Sequence, residues 1–184
     1  MRGSILKPIF IAFAIFSGLL NCYSQNHEEK ITAIDKYIQY INENADKHNF
    51  YDFLFLDGQV KSSIFRARKV IGAYAETYIM KESQLVKVTK GTRIFLNEEK
   101  TTSTNLIETF VFKNESLCYY SENKFYVTKN QIDSLIYEVG YYIENGTILK
   151  SNSKGIFNQN LSEYVKRVIR SSLEKIEEKN KFEK

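Results

Sequence analysis

The stretch that decides the fold is Tyr141-Tyr142-Ile143-Glu144-Asn145-Gly146-Thr147-Ile148, an aromatic and apolar run that is followed by Asn-Gly and a second apolar residue. Asn-Gly is typical of a two-residue β-hairpin turn, because both central residues of a type I′ turn need a positive φ. Three earlier stretches share this form, with their turn pairs at Asp57-Gly58, Glu82-Ser83 and Asn114-Glu115. The repeat predicts an antiparallel meander of successive hairpins.

The four turn pairs differ in strength. Asp57-Gly58 predicts a second tight hairpin, whereas Glu82-Ser83 and Asn114-Glu115 leave a longer or different loop open. Folding each copy about its turn gives these expected cross-strand partners: Phe55 with Val60, Met80 with Leu85, Phe112 with Leu117, Phe110 with Tyr119, Val111 with Cys118, Ile143 with Ile148, and Tyr142 with Leu149.

Alternation along the strands predicts two faces of the sheet, and both are apolar. One face is expected to carry Phe53, Phe55, Tyr78, Met80, Phe110, Phe112, Tyr141 and Ile143. The opposite face is expected to carry Leu54, Ile79, Val86, Val111, Cys118, Tyr142 and Leu149. A sheet with one solvated face would alternate between apolar and polar residues. Both faces are therefore expected to be covered, one by helices and the other by curvature or closure of the sheet.

Helices are predicted on both sides of the repeats, over residues 25–48 and 159–180. Ile31, Ile34, Ile38 and Ile41 recur at helical spacing, and so do Leu161, Val165 and Val168 further along the chain. A short helical turn is also expected over 130–135. The fold class is therefore α+β. We expect an antiparallel meander of about six to eight strands over residues 50–150, as a curved sheet or a partly closed barrel, with one helix packed at each end.

The repeated segments resemble the Tyr-Phe-x-Asn-Gly-x-Leu hairpins of small exported bacterial proteins of unknown function. Tyr141 to Ile148 is the copy closest to that pattern, and the flanking helices match the same layout. The resemblance implies an exported α+β domain. It transfers no catalytic or binding residue to this chain.

The start of the chain has the pattern of a secretory signal peptide. Arg2 and Lys7 precede an apolar run from Ile9 to Leu20, after which the sequence becomes polar. We expect residues 1–24 to be the signal peptide and 25–184 to be a single domain, periplasmic or secreted. The alternative is lipidation of Cys22, which would anchor the protein to the bacterial envelope. The membrane is a predicted partner only in that case.

Composition excludes several classes of protein. The net charge of +4 over 184 residues is small and falls further without Arg2 and Lys7, which argues against a nucleic-acid binder. Cys118 is the only cysteine after Cys22, so an internal disulfide is not expected. Motifs for phosphate binding, zinc hydrolysis and serine hydrolysis are absent from the sequence. We therefore expect neither a cofactor nor a metal, and no enzymatic activity.

Cys118 and a pair of carboxylates are the remaining candidates for chemistry. Cys118 has no nearby histidine to activate it and is read as a small apolar residue on a strand. Asp57 is explained by its turn, and Asp52 is left with no role. The basic residues Lys166, Arg167 and Arg170 are expected on the solvated face of the last helix.

Tyrosines provide the strongest indication of function. Many of them crowd between positions 119 and 142, and tyrosine is enriched at interfaces, although most of these rings are expected in the core. Tyr120 and Tyr126 are expected to be exposed, beside Arg66 and Arg68, which either bind an acidic partner or protect a strand edge.

These four residues form the candidate surface of an exported, non-catalytic interaction module. It would act through a tyrosine-rich face or edge of the sheet on another envelope or extracellular protein. One alternative is a carrier of a small apolar or lipid-like ligand between sheet and helix. Another is a hydrolase whose catalytic groups are scattered along the sequence.

Overall fold

A computed structural model describes residues 26–44, 51–62, 69–129, 131–157 and 159–182. Helix α1 covers residues 26–44 and helix α2 covers Leu161–Phe182. Between them lie the strands β1 (Asp52–Lys61), β2 (Val70–Lys81), β3 (Gln84–Phe95), β4 (Thr102–Lys113), β5 (Ser116–Thr128), β6 (Gln131–Glu144) and β7 (Thr147–Gly155). Neither helix has the combination of length and apolar character that a membrane-spanning segment needs.

The seven strands form one antiparallel sheet whose order in space is their order in the chain, from β1 to β7. Within the described part of the chain no pairing joins β1 to β7, so the sheet is open. The predicted α+β class, the meander and the two terminal helices are confirmed. The sequence leaves a curved sheet and a partly closed barrel as alternatives, and the sheet is not closed into a barrel.

One helix packs on each face of the sheet. On one face, α1 contributes the fully buried Ile41 to a cluster with Ile79, Val86 and Val111. On the other, α2 contributes Tyr164 and Val168 to a larger cluster, whose sheet residues include Tyr78, Val88, Phe110, Phe112, Tyr120, Tyr141 and Ile143. The expectation that both faces are covered is confirmed, but the second cover is a helix rather than closure of the sheet.

Three of the four predicted turn pairs connect strands as two-residue hairpins. The backbone has positive φ at both residues of Glu82-Ser83, of Asn114-Glu115 and of Asn145-Gly146. This is the type I′ conformation, which matches the twist of the paired strands. The two pairs without glycine therefore make the same turn as Asn-Gly, and no longer loop is needed.

The predicted turn at Asp57-Gly58 is wrong, because β1 runs straight through it. Asp57 lies opposite Ala75, and Gly58 lies opposite Tyr74. A Cβ atom at Gly58 would lie 2.7 Å from the ring of Tyr74. The absence of a side chain at Gly58 therefore allows the Tyr74 ring to pack closely on the backbone of β1, as glycine often does within a strand. The expected pairing of Phe55 with Val60 is wrong for the same reason.

β-Bulges shift several of the other predicted pairs. Met80 with Leu85, Phe112 with Leu117 and Ile143 with Ile148 are confirmed next to their turns. Beyond the bulges the partners move by one residue, so that Val111 faces Tyr119, Phe110 faces Tyr120 and Tyr142 faces Lys150. A bulge inserts one unpaired residue, and hairpin symmetry alone does not predict it.

Two further predictions about the strands are wrong. Residues 131–135 belong to β6 rather than to a helical turn, and residue 130 lies outside the described residues. Phe53 packs on the α1 face and Leu54 on the α2 face, the reverse of the predicted assignment. That assignment placed the aromatic residues of all four copies on one face, whereas the first copy is not a hairpin and follows a different register.

Ser83→Gly is expected to stabilise the protein by about 0.5–1 kcal/mol, because Ser83 has φ of 62° and glycine adopts that conformation without steric cost. Gly146→Ser is the matched reverse change at the corresponding turn position, where φ is 75°. It should destabilise by a similar amount. Urea unfolding of the two variants checks both signs, and a change of the same sign in both would contradict the assigned turn geometry.

Candidate functional site

A row of charged side chains crosses the middle of the sheet beneath α2. Glu76 on β2 lies opposite Lys90 on β3, Lys90 lies opposite Glu108 on β4, and Glu108 lies opposite Glu122 on β5. Residues directly opposite one another share a face, and the neighbours Tyr78, Phe110 and Tyr120, two residues away, place this row on the α2 face. The largest core of the protein therefore contains a charged layer.

The Glu122 carboxylate is the centre of this layer and is 2% exposed. Its Oε2 accepts hydrogen bonds from the hydroxyls of Tyr120 and Tyr164, both at 2.6 Å, and its Oε1 accepts one from Tyr137. Nη2 of Arg167 lies 3.6 Å from Oε2, with the guanidinium stacked 4.5 Å above the Tyr164 ring. Three hydroxyls and one cation thus offset the cost of burying this charge.

Glu108 has a different environment, although it lies directly opposite Glu122. Its Oε1 is 3.0 Å from the hydroxyl of Tyr120, whose single proton is already committed to Glu122 at the shorter distance. The contact from Tyr120 to Glu108 is therefore the longer and weaker of the two. Burial, followed by the charge of Glu122, raises the pKa of Glu108. Among the described residues no cation lies within 4 Å of it.

The other end of the row is a compact ion network that holds the C-terminal half of α2. Nζ of Lys175 lies 2.6 Å from Oε2 of Glu76 and 2.9 Å from Glu178. Nζ of Lys90 lies 3.2 Å from the other oxygen of Glu76. The hydroxyl of Tyr78 lies between two of these carboxylates, 2.5 Å from Glu178 and 2.8 Å from Glu76. Each charge in this network has an opposite partner, so it leaves no group free for a ligand.

A pocket of about 360 Å³ opens between α2 and strands β4 to β6, next to Glu108. Its lining includes two carboxylates, two cations and two tyrosines, namely Glu108, Glu122, Lys124, Arg167, Tyr120 and Tyr137. The hydroxyls and charges already bonded to Glu122 hold these walls in place. The arrangement can accept hydrogen bonds at Glu108 and present positive charge at Arg167.

The structure brings together few of the residues that the sequence nominated. Tyr120 is 1% exposed, so the prediction that its ring is free is wrong, because α2 covers the tyrosine-rich face. Tyr126 is 44% exposed, as predicted. Arg66, Arg68 and Cys22 lie outside the described residues, so the surface proposed from them stays a prediction.

Two other nominated groups have clear surroundings. Cys118 is buried and its thiol donates to the carbonyl of Val111 at 3.3 Å, while burial raises the pKa of the thiol to about 11. At neutral pH it is a protonated, apolar group, as the sequence predicted. Arg167 is exposed, as predicted for the solvated face of α2, and its contacts with Glu122 and Tyr164 also place it at the rim of the pocket.

The sequence contained a signal for this site that the search for known motifs missed. Glu76-Thr77-Tyr78 and Glu108-Thr109-Phe110 have the same form, and Tyr120-Ser121-Glu122 is its reverse. Alternation puts the glutamate of each triplet on the same face as the aromatic ring. Since that ring faces the core, the glutamate must be buried too, and a buried carboxylate needs partners.

In the parts of the chain that the structure describes, no cluster of histidine, cysteine and acidic residues has the make-up of a metal site. Comparison with protein-family models, with curated proteins and with solved structures finds no match to this chain. The function must therefore be argued from the pocket itself.

Proposed function

We propose that this protein is a binding domain that holds a small polar ligand in the pocket between α2 and strands β4 to β6. The observation that carries the proposal is Glu108, a carboxyl group that lines the pocket and forms no ion pair with a described residue, since Lys90 and Arg167 act on it only from more than 4 Å away. The neighbouring carboxylates, Glu76 and Glu122, are each satisfied by several protein groups. Glu108 is the one whose hydrogen-bonding capacity is left for a ligand.

The size and rigidity of the pocket support the proposal. A volume of about 360 Å³ is within the range of small-molecule sites. Tyr120 and Tyr137 are fixed by their bonds to Glu122, so little conformational entropy remains to be lost when a ligand binds. The charged lining favours a polar ligand over the lipid-like one considered from the sequence. The signal peptide predicted over residues 1–24 would place this binding domain outside the cytoplasm.

Glu108→Gln is expected to weaken ligand binding at least about tenfold, since a charge-assisted hydrogen bond contributes roughly 1.5–3 kcal/mol. The amide can still form a hydrogen bond with the Tyr120 hydroxyl, so the fold should be retained. Glu138→Gln is the matched control, because Glu138 is exposed on the neighbouring strand β6 and outside this pocket.

The measurement is an NMR screen of polar fragments of up to about 300 Da against the labelled protein, a size that fits a pocket of this class. The proposal is supported if fragments shift the backbone amide resonances of Lys124, Tyr137 and Ser171. Their affinity should be lost in Glu108→Gln and kept in Glu138→Gln. Fragments that bind only elsewhere, or that bind the two variants equally, would overturn the proposal.

A further inference from the structure

The lining of the pocket between α2 and strands β4 to β6 carries equal numbers of positive and negative charges. Glu108 and Glu122 provide the negative charges, and Lys124 and Arg167 provide the positive ones. Glu122 and Arg167 already face each other at 3.6 Å. Glu108 and Lys124 form no ion pair with a described residue. A ligand with one charge of each sign would match this lining.

Glu108 is the position for the positive group of such a ligand. Its side chain is half-buried, and burial together with the charge of Glu122 raises its pKa. Both effects disfavour the ionised carboxylate, and a positive group bound beside it would offset them. An ammonium group suits this position, because it donates up to three hydrogen bonds from one compact charge.

Arg167 is the position for the negative group. Its guanidinium is held at the rim of the pocket by the Tyr164 ring and by Glu122. A guanidinium has five N–H donors in one plane, and this fork matches the two oxygens of a carboxylate. Lys124 follows Glu122 by two residues on β5, on the same face of the sheet, and adds a second positive charge to the lining.

These two positions are close enough for a very short zwitterion to join them. Oε1 of Glu108 lies 3.0 Å from the hydroxyl of Tyr120, and that hydroxyl lies 2.6 Å from Oε2 of Glu122. The same Oε2 lies 3.6 Å from Nη2 of Arg167. The Glu108 carboxyl and the Arg167 guanidinium are therefore no further apart than these three contacts in series. A ligand with its ammonium and carboxylate on one carbon reaches both through charge-assisted hydrogen bonds of about 2.8 Å.

We propose that the ligand of this pocket is a free α-amino acid, with its ammonium on Glu108 and its carboxylate on Arg167. This assignment rests on the function proposed above and names the chemical class of the ligand. A volume of about 360 Å³ leaves space for a side chain beside the two charged groups. The half-buried Leu106 in the lining favours an apolar side chain.

Three ligands with the same side chain test this assignment. They are L-leucine, 3-methylbutylamine, which lacks the carboxylate, and 4-methylpentanoate, which lacks the ammonium. Titration of the labelled protein, followed through the NMR amide signals of Lys124, Tyr137 and Ser171, gives each dissociation constant. Each truncated ligand should bind at least about tenfold more weakly than L-leucine, because it forms one charge-assisted hydrogen bond fewer.

Two variants connect each charged group of the ligand to its residue. Arg167→Gln should weaken the binding of L-leucine at least about tenfold and leave that of 3-methylbutylamine unchanged. Glu108→Gln should weaken L-leucine to a similar extent and leave 4-methylpentanoate unchanged. Arg170→Gln and Glu138→Gln are the matched controls, since both positions are exposed and lie outside the pocket, and neither should change any of the three affinities.

The possible failures are distinct from one another. If uncharged polar fragments shift the three amide signals and L-leucine does not, the amino-acid assignment is overturned and the proposed function stands. If neither L-leucine nor any fragment shifts them, both are overturned. An equal loss of affinity for all three ligands in Arg167→Gln or in Glu108→Gln would also overturn the assignment, because it would show a general disturbance of the pocket rather than loss of one matched contact.

Discussion

Glu122→Leu is expected to destabilise the protein by about 3–5 kcal/mol, the largest effect of any single substitution proposed for this chain. The side chain is 2% exposed and accepts the hydroxyl protons of Tyr120, Tyr137 and Tyr164. Leucine accepts no hydrogen bond. Tyr137 would then lose its acceptor in the core, and Tyr120 and Tyr164 would keep only their longer contacts with Glu108 and with each other. Each buried unsatisfied group costs about 1–3 kcal/mol.

Urea unfolding followed by circular dichroism measures this loss. Glu138→Leu on β6 is the matched control, because its side chain is exposed and we expect a change of less than about 0.5 kcal/mol. Replacing the three tyrosines by phenylalanine in the Glu122→Leu background should recover part of the stability, since removing both partners of a hydrogen bond is nearly neutral. A loss below about 1 kcal/mol for Glu122→Leu would contradict the central role of this carboxylate.

Lys175→Met is expected to destabilise the protein by about 2–4 kcal/mol, because it removes one of the positive charges that stabilise the buried carboxylate of Glu76. Nζ of Lys175 lies 2.6 Å from Glu76, and both side chains are nearly inaccessible to solvent. Lys90 and Tyr78 keep their contacts with Glu76 in the variant, which places the loss below that of a fully isolated buried charge.

A double substitution separates the ion pair from the packing of the two side chains. Glu76→Gln/Lys175→Met removes both charges and should cost less than the sum of the two single variants. Lys166→Met, at an exposed position of the same helix, is the control and should change the free energy of unfolding by less than about 0.5 kcal/mol. Additive single effects would show that Glu76 and Lys175 do not stabilise each other.

The same pair predicts how stability depends on pH. Burial alone would raise the pKa of Glu76, but the hydrogen bonds from Lys175 and Tyr78 outweigh it and lower that pKa. A lowered pKa in the folded state gives stability that is present above the ordinary carboxyl range and is lost as the pH falls through the lowered value. Lys175→Met should therefore flatten the acid limb of the stability curve.

The sequence predicts the helices and most of the turns, but it does not predict all of the strand pairing. The meander, the terminal helices and the turn at Asn145-Gly146 follow from local patterns, because periodicity and turn chemistry act within a few residues. The straight passage of β1 through Asp57-Gly58 depends on Tyr74, which is distant in sequence and packs on Gly58. A local pattern carries no information about that contact.

The site was less predictable than the fold for a similar reason. A search for catalytic motifs looks for residues that are close in sequence, whereas Glu108 and Glu122 meet through the register of β4 and β5. That register contains a bulge between Val111 and Phe112, which shifts each pair by one residue. Only the glutamate two residues from an aromatic residue in each triplet indicates from sequence that these carboxylates face the core.

The order of the strands has a consequence for how the protein is made. Since neighbours in the sheet are neighbours in the chain, each strand can pair with the one before it as soon as both have left the ribosome. Helix α2 follows all seven strands in the chain, so the face that contains Glu122 and its tyrosines stays uncovered until α2 has been synthesised. A nascent chain stalled before residue 161 would present that face to chaperones. Packing of α2 onto the sheet then completes the fold.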